Sequence, residues 1–160
     1  MASPLPQRSS QREPQSSSQG TEAARNYVLE EQAGFILRQV QQRHTAIFTN
    51  RMDNDITPTQ WAALAKLYER GPSSQNLLGR LTAMDAATIK GVVDRLVRRG
   101  FADTRPDGAN RKRLLVELTP QGRQFVEQAA AIAHAITEET LAPLSEKERE
   151  TLLALLRKMR

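Results

Sequence analysis

Residues 94 to 123 read D-R-L-V-R-R-G-F-A-D-T-R-P-D-G-A-N-R-K-R-L-L-V-E-L-T-P-Q-G-R. The stretch opens on the end of a helix that Gly100 stops. A strand F-A-D-T-R, a turn P-D-G-A-N and a second strand L-L-V-E-L follow. Thr119-Pro120 then begins another helix, with a capping hydroxyl before a proline at the first helical position. Arg111, Lys112 and Arg113 sit at the tip of this hairpin with no carboxylate directly beside them. From Asp94 to Arg113, seven cations (Arg95, Arg98, Arg99, Arg105, Arg111, Lys112, Arg113) meet three acids, a local excess that makes up most of the chain's net +5. Either the rest of the chain supplies the opposite charge or an anionic partner does.

The sequence just upstream gives this hairpin its context. Asp85 is an N-cap for A-A-T-I-K-G-V-V-D-R-L-V-R-R, whose Ile89, Val92, Val93, Leu96 and Val97 make one apolar face. The opposite face carries Ala86, Ala87, Lys90, Gly91, Asp94, Arg95 and Arg98. Before it, Ser73 or Ser74 caps a short helix, Q-N-L-L-G-R-L. Before that, Thr57-Pro58 opens a helix over W-A-A-L-A-K-L-Y-E-R that stops at Gly71-Pro72. The last helix pair reads as helix-turn-helix, and a helix-turn-helix followed by a basic hairpin is a winged helix. Longer helices flank this lobe, predicted over residues 27–52, 121–140 and 145–159. Leu29, Ala33, Ile36, Val40, His44 and Ile47 recur at helical spacing in the first, and Ser145 with Glu148 makes a capping box for the last. The fold class is therefore mainly α with a small β-hairpin wing: a winged helix-turn-helix lobe at 57–118, with a helical dimerisation region from both termini at 27–52 and 121–160.

Bulk composition agrees with one domain, 26–160, preceded by a tail. Residues 1–25 are rich in Ser, Gln and Pro, hold almost no large apolar side chains, and are expected to be disordered. They lack the apolar segment of a secretion signal. No run approaches the 18 or so apolar residues of a membrane span, so a cytoplasmic protein is the simplest reading. The chain has no cysteine and only two histidines, His44 and His134. It carries no G-x-S-x-G, phosphate-cradling glycine loop or H-E-x-x-H, which argues against an enzyme, and no cofactor or metal is expected.

The cationic hairpin and the helix before it suit double-stranded DNA. A helix enters the major groove with its N-terminal residues facing base edges. Here these are Ala86, Ala87 and Thr88, small enough for close approach and methyl contact with thymine. Lys90 and Arg95 add polar or phosphate contacts, Ser73, Ser74 and Gln75 lie at the preceding helix start, and Arg105, Asn110, Arg111, Lys112 and Arg113 form the wing. Phosphates would screen the repulsion there, and affinity would fall steeply with salt. The same wing is equally a feature of a non-specific architectural DNA binder, and a run of three cations is also a common solvated turn.

D-R-L-V-R-R-G-F-A-D-T-R, the wing, and L-T-P-Q-G-R together resemble the MarR family of bacterial transcription regulators, over roughly Tyr27 to Arg160. Leu118, Thr119 and Gly122 match the family's L-T-x-x-G at the start of its long dimerisation helix. Where the family commonly carries Asp-x-Arg in its wing, this chain has Asn110-Arg111-Lys112, so Arg111 or Lys112 takes the place of the inserted residue and Asp107 is the alternative carboxylate. The resemblance implies a homodimer reading a pseudo-palindromic operator, acting as a repressor of a catabolic or efflux operon. It also implies release by a small aromatic acid of the benzoate, hydroxycinnamate or nicotinate type, bound between the dimer helices and the DNA-binding lobe. Phe35, Arg38, Gln42, His44 and Trp61 carry the side chains such a pocket uses, a cation and an imidazole near aromatic walls. His44 and Trp61 serve equally as core or interface residues, and Arg38 as a surface ion-pair partner.

Overall fold

The computed structural model describes Glu22 and residues 24–159, without the side chains of Arg111 and Lys112. The tail expected over 1–25 lies almost wholly outside the described residues. The chain divides into two compact units, Met1–Gln39 and Val40–Arg160.

In the first unit Glu22, Ala24 and Arg25 are helical, and Leu29–Glu31 forms a single 3₁₀ turn. Helix α1 spans Ala33–Arg51 rather than starting at Tyr27. Gln32 makes the break. Its backbone is extended, its amide side chain donates to Val28 O at 2.8 Å, and its carbonyl accepts from both Phe35 and Ile36. A residue so placed caps the following helix instead of continuing the turn before it.

The second unit holds the remaining elements: α2 (Pro58–Arg70), β1 (Ser73–Ser74), α3 (Gln75–Leu81), α4 (Ala86–Arg98), β2 (Ala102–Asp107), β3 (Asn110–Leu118), α5 (Pro120–Leu141) and α6 (Glu146–Lys158). Each start has its cap. Thr57 and Gln60 form a reciprocal box at α2, Ser74 accepts from Leu77 N at α3, and Thr119 accepts from Gly122 N at α5. Gln60 is buried, and the box satisfies its side chain there.

Helices α3 and α4 meet across Thr82–Asp85, with Ala83 in the left-handed region (φ 53°). Gly79 permits the close approach: a Cβ there would stand 3.1 Å from both Ile89 Cγ2 and Met84 O. Leu64, Leu67, Leu78, Ile89, Leu96 and Val116 are almost fully buried together. Each such side chain contributes about 2 kcal/mol of transfer free energy, and Phe125, Val126 and Ala129 of α5 extend the same core.

The sheet is antiparallel in the order β1-β3-β2. Two features depart from the sequence-based expectation. Ser73–Ser74 pairs with Val116 and Leu115 as a third strand, too short to carry an alternating pattern. The hairpin is also longer than expected. Pro106 lies within β2, which is an edge strand and tolerates a missing N–H. The turn shrinks to Gly108-Ala109, and Arg111, Lys112 and Arg113 fall within β3 where the register shifts, between the pairs Asp107–Asn110 and Pro106–Leu114.

The start of α5 explains the L-T-P-Q-G signature. Thr119 Oγ1 donates to Gly100 O at 2.6 Å and accepts from Gly122 N at 3.0 Å, tying the end of α4 to the start of α5. A Cβ on Gly122 would fall 1.9 Å from Phe101 O. Only glycine fits against that carbonyl.

Candidate nucleic-acid interface

Helix α4 presents the residues that can enter a groove. Asp85 caps it, with Oδ1 accepting from Thr88 N at 2.7 Å and Oδ2 from Thr88 Oγ1 at 3.0 Å. These bonds, the backbone one foremost, hold the Asp85 carboxyl below its usual range. They also commit the Thr88 hydroxyl hydrogen, so what Thr88 leaves on the surface is an acceptor oxygen with a methyl beside it. Ala86, Ala87 and Thr88 are all exposed while Ile89 is buried beneath them. Lys90 is exposed and paired with Asp94 at 2.7 Å. Arg95 and Arg98 stand exposed further along.

The wing lies beside this face. A cleft of about 740 Å³ runs between α4 and the hairpin, lined by Gln75, Lys90, Arg95, Arg98, Thr104 and Leu114 among others. The structure therefore brings Gln75 together with Lys90 and Arg95. Ser74 is half-buried and spends its hydroxyl as the cap of α3. Ser73 is buried at 5% exposure, and its hydroxyl donates to Gly71 O. In the wing, Arg105 pairs with Glu117 at 2.7 Å and Arg113 with Asp107 at 3.6 Å. Asp107 also accepts from Ala109 N within the turn. Two wing cations thus have carboxylates across the hairpin, so part of the opposite charge is intramolecular. Exposed pairs of this kind are weak and exchange readily for phosphate. Asn110 is exposed at the end of the hairpin.

Arg99, one of the seven cations of the run, is turned inward, unlike Arg95 and Arg98. Its guanidinium donates to Asp55 O at 3.2 Å and to Asn54 O, and lies over the Phe101 ring. The residues M-D-N-D-I gave no hint of this use, because carbonyl acceptors leave no mark in side-chain chemistry.

The residues considered for a small-molecule pocket fall in both units. In the first, Phe35 is half-buried and Arg38 exposed. In the second, Gln42 is exposed and His44 half-buried. His44 Nδ1 lies 2.9 Å from Thr140 Oγ1, whose own hydrogen goes to Ile136 O at 2.8 Å. Nδ1 must then be the donor, leaving Nε2 as the nitrogen with a lone pair. Thr140 was not among the residues singled out from sequence, since nothing local connects it to His44. Arg43 holds the end of α5 through Thr140 O and Glu139 O. Trp61 packs edge-on to Phe125, with ring centroids 6.4 Å apart, as part of the core margin. His134 is exposed on α5.

Comparison with known proteins matches this geometry. The sequence pattern of the MarR family fits residues 54–113, from the loop before α2 to the wing. The chain is 41% identical over 134 residues to the HTH-type transcriptional repressor NicR of Pseudomonas putida, spanning 83% of this chain and 85% of that one. A solved probable transcriptional regulator from Pseudomonas aeruginosa is 53% identical, with a TM-score of 0.80 over 83% of this chain and all of that one. BpsR of Bordetella bronchiseptica, whose DNA binding is regulated by 6-hydroxynicotinic acid, is 40% identical, with a TM-score of 0.79 over 83% of this chain and 96% of that one. The chain belongs to the MarR family: it is a DNA-binding transcriptional repressor built on a winged helix-turn-helix, and not an enzyme.

Proposed function

We propose that this repressor binds a pseudo-palindromic operator sequence-specifically as a cytoplasmic homodimer, and that a small aromatic acid of the hydroxynicotinate class releases it. The observation that carries the ligand class is the likeness to the 6-hydroxynicotinic acid-regulated BpsR, 40% identical and matched over 83% of this chain. A catabolic operon for such an acid is the regulated target this favours.

Ala86, Ala87, Thr88, Lys90 and Arg95 of α4 face the major groove in this reading, with Gln75 beside them. Arg105, Asn110, Arg111, Lys112 and Arg113 of the wing follow the adjacent backbone or minor groove. Support comes from the exposure of the α4 residues and from the cleft that joins them to the hairpin. A second copy covers the apolar side chains that one chain leaves exposed. On α6 and at its C-cap these are Leu155 at 52%, Leu156 at 37% and Met159 at 68% exposure.

For the acid, His44 offers Nε2, as an acceptor to a ring hydroxyl when neutral and as a donor to a carboxylate when protonated. Gln42 and Trp61 are the other candidates in the second unit, and Arg38 and Phe35 are tested separately as residues of the first unit. An acid that prefers a dimer with the wrong wing spacing lowers DNA affinity by its differential affinity for the two states. Isothermal titration with 6-hydroxynicotinate tests the assignment. His44→Ala is expected to weaken binding about 10- to 100-fold. If His44→Ala and Arg38→Ala both bind as tightly as wild type, these residues do not hold the acid.

A further inference from the structure

The loop between α1 and α2 carries two consecutive non-glycine residues in the left-handed region, Asn54 at φ 60° and Asp55 at φ 47°. Asn and Asp adopt this conformation more readily than other L-residues, but two in succession leave adjacent carbonyls that need a partner. Arg99 binds both. One guanidinium nitrogen takes Asp55 O and the other takes Asn54 O. A planar fork matches two neighbouring carbonyls, whereas a lysine ammonium is a single point charge that has no such shape. Arg99 is itself fixed at both ends. It is the C-cap of α4, with its N–H on Arg95 O, and its guanidinium lies 5.3 Å from the centroid of the Phe101 ring. Phe101 in turn packs 5.0 Å from Phe125 of α5, and Phe125 meets Trp61 of α2.

We infer that Arg99 is a positioning residue: it locks the α1–α2 loop to the C-terminal end of the recognition helix, and so sets the angle at which α4 is presented to DNA. Among the described cations of the run, it is the one whose guanidinium is bonded to backbone inside the lobe. Its neighbour Arg98 is exposed and lines the cleft with Lys90 and Arg95. The assignment rests on the winged helix docking DNA as proposed above, but its first test does not.

That test is amide hydrogen exchange on the full-length protein, wild type against Arg99→Lys, which keeps the charge and removes the fork. Circular dichroism confirms that the fold is retained. Exchange is expected to quicken at residues 54–57 and in the last turn of α4. Unchanged exchange there overturns the clamp outright, whatever the DNA result. The second test is the affinity ratio between a selected operator and scrambled DNA, measured without effector. Arg99→Lys is expected to lower the ratio at least tenfold, with the salt dependence of wild type. Adding Asn54→Gly and Asp55→Gly, which adopt positive φ without strain, is expected to restore part of it. A Lys variant with the wild-type ratio overturns the positioning role, even if exchange quickens. A variant Arg99→Gln that lowers the salt slope by about one, with Arg99→Lys behaving as wild type, makes Arg99 a phosphate contact instead. Should wild type itself show no operator preference, the functional reading fails and the exchange result alone decides the clamp.

Discussion

Single residues set the junctions of this fold, and two of them make sharp predictions. Gly122 lies against Phe101 O so closely that a Cβ would fall 1.9 Å from it. The obstacle is backbone, which no rotamer change relieves. Gly122→Ala is expected to destabilise the protein by about 3 kcal/mol or more, measured by urea denaturation. Asp85 is the second. Thr88 holds its carboxyl below the ordinary value of 3.8, so the cap contributes stability above that value and loses it as pH falls through the depressed one. Asp85→Ala is expected to lower Tm at neutral pH, and the gap to wild type is expected to close in strongly acidic buffer. Thermal melts across a pH series read this directly; a gap that stays constant to low pH would mean the charged cap is not what stabilises α4. Asp85 was legible because a cap is local chemistry, and Gly122 only through the family's L-T-x-x-G, since the carbonyl it packs against belongs to Phe101. Arg99 and Thr140 were not, because their partners lie 44 and 96 positions away.

At the scale of elements, the wing carries a prediction that tests its charge. Replacing Arg111 and Lys112 with alanine removes two cations from β3. If both neutralise phosphates, log affinity against log salt should lose about two units of slope. An unchanged slope would return these residues to solvent. The order of elements was readable throughout the second unit, since caps, prolines and apolar periodicity mark each of α2 to α6. The departures each have a physical source. Gln32 interrupts the first helix by capping the next one, which an apolar stripe alone does not reveal. Strand β1 is two serines whose only strand signal is their pairing to β3. Pro106 read as a turn residue, yet an edge strand has no need of its N–H. The three cations, read at the tip, lie in the irregular first part of β3 beside the two-residue turn. Reading Pro106 as a turn residue also hid the pairs Arg105–Glu117 and Arg113–Asp107, which form across the hairpin.

At the scale of the whole molecule, the proposed partners are a second copy and DNA. One chain leaves Leu155 and Leu156 of α6, and Met159 at its C-cap, in solvent. Sedimentation equilibrium is expected to show a dimer, with a Tm that rises with protein concentration. Leu155→Glu with Leu156→Glu is expected to yield monomer and to weaken operator binding, because two half-sites can no longer be held at once. A wild-type monomer at micromolar concentration would remove the dimer from the account. The central claim, a sequence-specific repressor released by an aromatic acid, is tested most directly by fluorescence anisotropy. The labelled DNAs are a duplex selected from genomic fragments and a scrambled duplex, each titrated with and without 6-hydroxynicotinate. The account predicts at least about a thousandfold preference for the selected duplex, reduced several-fold or more by the acid. Equal binding to both duplexes, with or without the acid, would contradict it and make the protein an architectural DNA binder.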